Sequence, residues 1–380
     1  MEGYKVNFTH LHLAKGWSLP VAMDVVCPED STKNDSILLA VRQLEILLTD
    51  DKLPFSSAYC VNNADSGFGN AKFLSPLYAQ KQLVNIVRLR GGMKVYTVFS
   101  QDQQAKKNPK VYGEQLYLTT KTQTKEYRTK NAKTKEIKIT EKYQKSVLDY
   151  SDYTFIEDNI LLANRRKARQ KIWCWKNMLI RSKNGNNTHL RMKDKPFDLL
   201  KIEIWNKDNS KKIFDRDMFL AVNGQAKDKL TAQEAQANYR TRFDVETCYR
   251  FSKQNLFLGK FQTPDKQHFM SHLLVILSSW WLLYAAKDEV KQECTVWQQY
   301  NPINQAAKQA QERKEKVNLT PSHLHTQVRK GIGHLFDTFD KTPFLPKKCK
   351  KGRGRKLGAK MVKRKTYKTY KKPKKEVKKE

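Results

Sequence analysis

The residues best placed to do chemistry lie on one predicted helix, residues 231–256. Thr231 and Glu234 have the spacing of a capping box, in which the hydroxyl takes the N3 amide and the glutamate reaches back to the N-cap. Behind them stand Tyr239, Arg242, Glu246 and Lys253. At about 100° per residue these four fall within about 60° of one another along roughly 20 Å of helix. Val245, Cys248 and Phe251 point the opposite way, as a packed face should. A guanidinium and an ammonium suit phosphate oxygens, the guanidinium in bidentate fashion. The plainer reading is a solvated face with an Arg242–Glu246 pair at i,i+4, worth roughly a few tenths of a kcal/mol.

The elements that must position this face are legible upstream. Residues 4–13 and 17–26 alternate as two strands, with Ala14, Lys15 and Gly16 as the turn. Residues 31–49 carry apolar positions at helical spacing, with Ser31 or Asn34 as the cap. Residues 57–64 form a short strand ending at Asp65. Ser66 to Gly69 make a loop, Asn70 opens a short helix, and Leu83–Leu89 is a buried strand. Strand, helix, strand, helix, strand is the order of an α/β fold. Residues 93–228 differ in texture, alternating Thr, Tyr, Ile and Val with Lys, and predict an antiparallel β-rich segment. An apolar helix is expected at 269–286 and a Gln-rich polar one at 303–315. The apolar stretch has 18 residues without Asp, Glu, Lys or Arg. A membrane span needs about 20, so a core helix is the better reading and no membrane is expected as partner.

Charge narrows the partner. The 380 residues hold 73 Lys and Arg against 38 Asp and Glu, a net +35. Such an excess is self-repulsive unless a polyanion neutralises it, and nucleic acid is the first candidate. Residues 346–380 alone carry +16 and cannot form a core; they read as a disordered basic tail, and the rest keeps +19. Residues 103–145 hold 12 basic and four acidic side chains, and a second basic run, 164–171, adjoins Trp173 and Trp175. Basic residues beside aromatics suit a polynucleotide backbone; a solvated sheet face with a structural Trp pair fits equally. The six cysteines form no C-x-x-C pair, which argues against zinc ribbons and disulfides and suits a reducing cytosol. His268, His272, His323 and His325 lack the partners a zinc site needs. The opening residues, polar and alternating, do not read as a secretory leader.

The spacing Tyr-x2-Arg-x3-Glu-x6-Lys, with the flanks RFDVETCYRFSKQNLFLGKFQTPD, resembles the third-carboxylate signature of one large group of bacterial insertion-sequence DDE transposases. NADSGFGNAKFLSPL resembles that family's second-carboxylate motif. The resemblance covers residues 1–345, the inserted segment in character only. It implies an RNase H-like mixed sheet with flanking helices, interrupted by a β-rich insertion. The divisions are a core at 1–92, an insertion at 93–228, the rest of the core with C-terminal helices at 229–345, and the tail at 346–380. It implies Asp65 and Glu246 as catalytic carboxylates binding two Mg²⁺ ions, which activate the attacking oxygen and stabilise the leaving one. Tyr239, Arg242 and Lys253 would hold transposon-end DNA. The expected activity is phosphodiester cleavage and strand transfer at insertion-sequence ends, by a homodimer on paired ends, in the cytoplasm at the nucleoid.

One departure qualifies this. The family's first Asp lies on a central first strand, and the hairpin 4–26 reads as strands two and three. The first strand, its Asp and the family's N-terminal DNA-binding region are therefore expected to be missing. Asp24 would sit roughly 14 Å from Asp65 across strands about 4.8 Å apart, too far to share a metal pair about 4 Å wide. Asp30 and Asp35 have no better claim. The chain is thus expected to be inactive alone. Two rivals stay open: a non-catalytic DNA-binding remnant that inhibits full-length subunits by pairing with them, and a structural basic protein associated with RNA or the ribosome. The second gives the Tyr239–Lys253 face no role beyond net charge.

Overall fold

The computed structural model describes residues 4–14, 16–27, 30, 34–99, 112–119, 123–127, 138–142, 145–162, 166–181, 192–260, 265–288, 320–322, 324–326 and 328. The basic tail, the Gln-rich helix at 303–315 and most of the basic run at 103–145 lie outside them.

The fold is mixed α/β. Strands β1 (Val6–Ala14) and β2 (Trp17–Val25) form an antiparallel hairpin. Gly16 closes its turn at φ +82, in the left-handed region open to glycine. Helix α1 (Ser36–Thr49) packs on this hairpin. Its cap is Asp35, not Ser31 or Asn34: the Asp35 carboxylate accepts the Ile37 amide at 2.8 Å. Gln43, buried on α1, pins the two together. It accepts the Thr9 hydroxyl at 2.8 Å and donates to Asp24 Oδ2 at 3.2 Å. Strand β3 (Cys60–Ala64), shorter than the expected 57–64, leads to α2 (Ala71–Leu77), capped by Asn70 as expected, and to β4 (Leu83–Leu89).

Strands β5 (Lys94–Val98) and β6 (Tyr112–Tyr117) pair, as do β7 (Gln123–Tyr127) and β8 (Lys138–Lys142). Strands β9 (Thr154–Leu161), β10 (Lys167–Met178), β11 (Phe197–Asn206) and β12 (Met218–Asn223) are antiparallel, as the alternating texture predicts. They do not stand apart from the first strands. β12 pairs with β4, giving one six-stranded sheet in the order β3-β4-β12-β11-β10-β9, so the change of texture at residue 93 is no boundary in the sheet. Among the described strands of this sheet only β3 and β4 pair in parallel, and β4 is buried along nearly its whole length on both faces.

The sheet has apolar packing on both sides. On one, Leu83, Val87, Phe197 and Phe219 meet α1 and α2 through Leu44, Leu48, Phe73 and Leu77. On the other, Val84, Ile86, Leu220 and Val222 meet Ala235 and Tyr239 of α3 (Ala232–Thr241). Helices α4 (Phe243–Asn255) and α5 (Lys266–Ala285) pack on β2 of the hairpin. Trp280 stands edge-on to Trp17 at 5.9 Å, and the Trp281 indole donates to the Pro20 carbonyl at 3.0 Å. Helix α5 is a core helix on one face only. Phe269, Leu273, Ile276, Trp280 and Leu283 are buried, while Leu274, Val275 and Leu282 are exposed among the described residues. By length and composition it could cross a membrane.

His10, midway along β1, has both ring nitrogens shielded from solvent. Burial holds its imidazole down to about 4, against a weaker opposing pull from the Ser18 backbone. Unfolded, the same ring takes its proton near 6.5. Its contribution to stability is therefore complete above pH 6.5 and falls as pH drops from 6.5 towards 4, where only the unfolded state is protonated. A denaturation series across that window should show a fall on the order of 2 kcal/mol that a His10→Phe variant lacks; equal slopes would remove His10 as its source.

Candidate functional site

The predicted helix 231–256 begins as expected. The Thr231 hydroxyl accepts the Glu234 amide at 3.2 Å, and Glu234 Oε2 accepts the Thr231 amide at 2.9 Å. The helix is not continuous, however. It tightens at Arg242, whose amide bonds back to the Tyr239 carbonyl, and restarts as α4. The tightening divides the four-residue face. Tyr239 is fully buried against the sheet. Its hydroxyl makes no hydrogen bond of good geometry, and burial pushes the phenol up, with Arg242 opposing and Asp65 reinforcing the shift. Glu246 and Lys253 are exposed on α4.

Arg242 is the most constrained of the four. Its guanidinium carbon lies 5.7 Å from the Tyr239 ring centre and 4.9 Å from that of Phe243. Its Nη2 donates to Glu246 Oε1 at 2.9 Å, while its Nε is buried with no partner. Two rings and a carboxylate thus hold one cation in place before any ligand arrives.

Asp65 follows β3 directly and is exposed. Its carbonyl accepts the Phe68 amide at 2.9 Å and its carboxylate the Ser66 amide at 2.6 Å, which folds the Asp65–Gly69 loop tightly. Gly69 has to be glycine: a Cβ there would meet the Arg88 carbonyl at 2.7 Å. Gly69→Ala should therefore cost about 1–3 kcal/mol, as overpacking does; a chemical-denaturation midpoint unchanged from the parent would show that the loop relaxes freely.

Asp65 and Arg242 line one cleft of about 400 Å³, bounded by β1, β3, α1, α2, α3 and α4. Glu246 and Lys253 do not line it, and Glu246 is tied to it through Arg242. Asp24 lies on β2, bonded to Gln43, and Asp35 is occupied as a helix cap, so neither joins Asp65 at the cleft. Asp244 is a positioning residue that sequence reasoning missed. Its Oδ2 accepts the Gly16 amide at 3.1 Å and meets His12 Nδ1 at 3.2 Å, clamping the hairpin turn to the start of α4. It can be found only once the helix is known to restart at residue 243, which places it in a first turn.

The basic run beside the tryptophans resolves into two roles. Trp175 is fully buried and donates to the Tyr150 carbonyl at 3.0 Å. Trp173, on the same face of β10, packs half-buried against that core with Lys201 Nζ 4.4 Å over its ring, and Lys171 covers Trp205 at 4.9 Å. Cys27, Cys60, Cys174 and Cys248 are free thiols, and burial pushes Cys174 up to about 11 and Cys248 to about 12.

A pair of Mg²⁺ ions needs carboxylate oxygens converging from several elements. Among the described residues no three His, Cys, Asp or Glu side chains are so grouped, and the Glu246 carboxylate is engaged by Arg242. These residues as they stand do not fit a two-metal site. No model of a known protein family matches the chain, and no curated protein matches it either.

Proposed function

We propose that this chain is a DNA-binding protein built on the RNase H-like core of the insertion-sequence transposases. It holds a DNA backbone at the mouth of the cleft and does not cut DNA unaided. The observation that carries the reading is Arg242, caged by Tyr239, Phe243 and Glu246 on the same cleft as Asp65. A cation fixed in advance loses little freedom on meeting a phosphate, and its planar fork suits two phosphate oxygens. The net charge of +35 supports a polyanionic partner. The order hairpin, helix, strand, helix, strand supports the core assignment. Phosphodiester cleavage and strand transfer, the activities the resemblance implies, require a carboxylate set more complete than Asp65 and Glu246.

Fluorescence anisotropy on a labelled duplex of about 30 base pairs tests this, with affinity expected to fall steeply as salt rises. Arg242→Ala should weaken binding about tenfold, on the order of 1.4 kcal/mol. Lys81→Ala, which removes an equal charge from an exposed site before β4, should do far less. Equal losses would reduce the helix face to net charge and favour the structural-protein reading. Strand cleavage by the purified chain with Mg²⁺ would overturn its inactivity.

A further inference from the structure

Helix α5 turns one side inward and leaves the other uncovered among the described residues. Its inward side, with Phe269, Leu273, Ile276, Trp280 and Leu283, is buried against the hairpin and α4. At about 100° per residue, the opposite face is centred on Ser278. Within about 60° of that centre lie Leu274, Val275 and Leu282, each more than half exposed, and Trp281, 38% exposed. From Ser271 to Ala285 this face has no charged side chain, in a chain that is 29% charged. The outward face of a surface helix is ordinarily charged or polar, and an exposed apolar patch marks a contact surface.

The pattern of sizes specifies the occupant. Small residues recur at every seventh position, Ser271, Ser278 and Ala285. Two large ones stand in each interval, Leu274 with Val275 and Trp281 with Leu282. From either end the order is the same: small, two large, small, two large, small. A face with that symmetry is complementary to an antiparallel copy of itself, as a two-fold interface requires. With Ser278 on the axis, Leu274 of each copy meets Leu282 of the other, and Val275 meets Trp281. The small residues let the helix axes approach to about 8–10 Å. The same register sets His268 opposite Asp288 at the rim and opposes the two helix dipoles. Covering the face strands no donor of Trp281 or Ser271. The Trp281 indole already donates to the Pro20 carbonyl at 3.0 Å, and the Ser271 hydroxyl to the Gln267 carbonyl at 3.1 Å. The bond to Pro20 also fixes the Trp281 ring before any contact forms.

We infer that the outward face of α5 is a contact between two copies of this chain, paired antiparallel about Ser278. A face four turns long offers on the order of 500 Å² on each copy, about 1,000 Å² in all, which is the size of a transient interface rather than a permanent one. A bilayer does not select a pattern that repeats every seventh residue, whereas a second helix does. The inference rests on helix packing, needs no DNA, and is independent of the proposed function.

Sedimentation equilibrium on the full chain, freed of nucleic acid and at high salt, tests it. The chain should pass from monomer to dimer as its concentration rises through the micromolar range. Ser278→Arg, which sets two like charges face to face on the axis, should raise the dimer Kd at least about tenfold. Ser57→Arg, the same change at an exposed site before β3, should leave it unaltered. Under mild oxidation Ser278→Cys should give a disulfide joining residue 278 of two copies, located by mass spectrometry. Ser271→Cys should give no such bridge to itself, because the two thiols would stand about 21 Å apart along the helices. A chain that stays monomeric at every concentration would overturn the inference, and so would a monomer that floats with phosphatidylcholine vesicles, which would assign the face to a membrane. Equal effects of Ser278→Arg and Ser57→Arg would place the contact elsewhere, and a bridge between two copies of residue 271 would overturn the antiparallel pairing.

Discussion

Replacing Asp198 with alanine should destabilise the fold by about 3–5 kcal/mol, the loss expected when one partner of a buried ion pair is removed. Asp198 on β11 is buried and accepts Lys227 Nζ at 2.6 Å, Lys176 Nζ at 2.5 Å and the Asn177 amide at 3.2 Å. Lys227 is itself buried, so without the carboxylate its ammonium is desolvated and unbalanced. Asn177 sits at φ 55, where the β10–β11 register shifts between Trp175 and Met178, so the carboxylate also stabilises a left-handed residue in a bulge. Lys227 lies in the short turn leading to α3, so the damage should reach the start of the helix bearing Tyr239. Replacing both Asp198 and Lys227 by apolar residues of similar size should cost much less, because neither charge is stranded. Urea denaturation of the three proteins decides it: a single-variant loss under about 1 kcal/mol would mean that water or a shifted lysine takes over.

The second large effect is expected at Trp280. It is buried where α5 meets α4 and the hairpin, edge-on to Trp17 at 5.9 Å and to Phe251 at 5.0 Å. Its indole donates to the Ser252 hydroxyl at 2.7 Å. Trp280→Ala should cost about 3–5 kcal/mol through the cavity and the lost contacts, and Trp280→Phe distinctly less. The loss should also be local. Among the described residues the hairpin shares no strand pairing with the six-stranded sheet, so hydrogen exchange should rise across β1 and β2 while β10 to β12 stay protected. A uniform rise would show that hairpin and sheet unfold as one unit.

Much of the frame around the cleft was legible because its signals are local. The Thr231–Glu234 box, the Asn70 cap, the glycine turn of the hairpin and the span of β4 each depend on a few adjacent residues, and each is found as expected. What was not legible depends on distant neighbours. Helical periodicity places Tyr239, Arg242 and Glu246 on one face but does not say that the sheet lies under Tyr239, nor that the helix tightens at Arg242. Lys201 reads as an outward residue of a strand. It is buried because Glu203 accepts its ammonium at 2.6 Å and Asp217 stands 3.3 Å away. Such ion pairing of buried side chains leaves no mark in a hydropathy pattern. The joining of β12 to β4 is likewise invisible, since both read as apolar strands with any partner.

That joining has a consequence during synthesis. β4 ends at Leu89, and its neighbour β12 begins only at Met218. A ribosome adding roughly 5–20 residues each second leaves the apolar edge of β4 uncovered for many seconds. Over that interval the nascent chain is a sticky intermediate. Yield in cells should therefore depend on chaperone supply and growth temperature more than the stability of the finished protein would suggest.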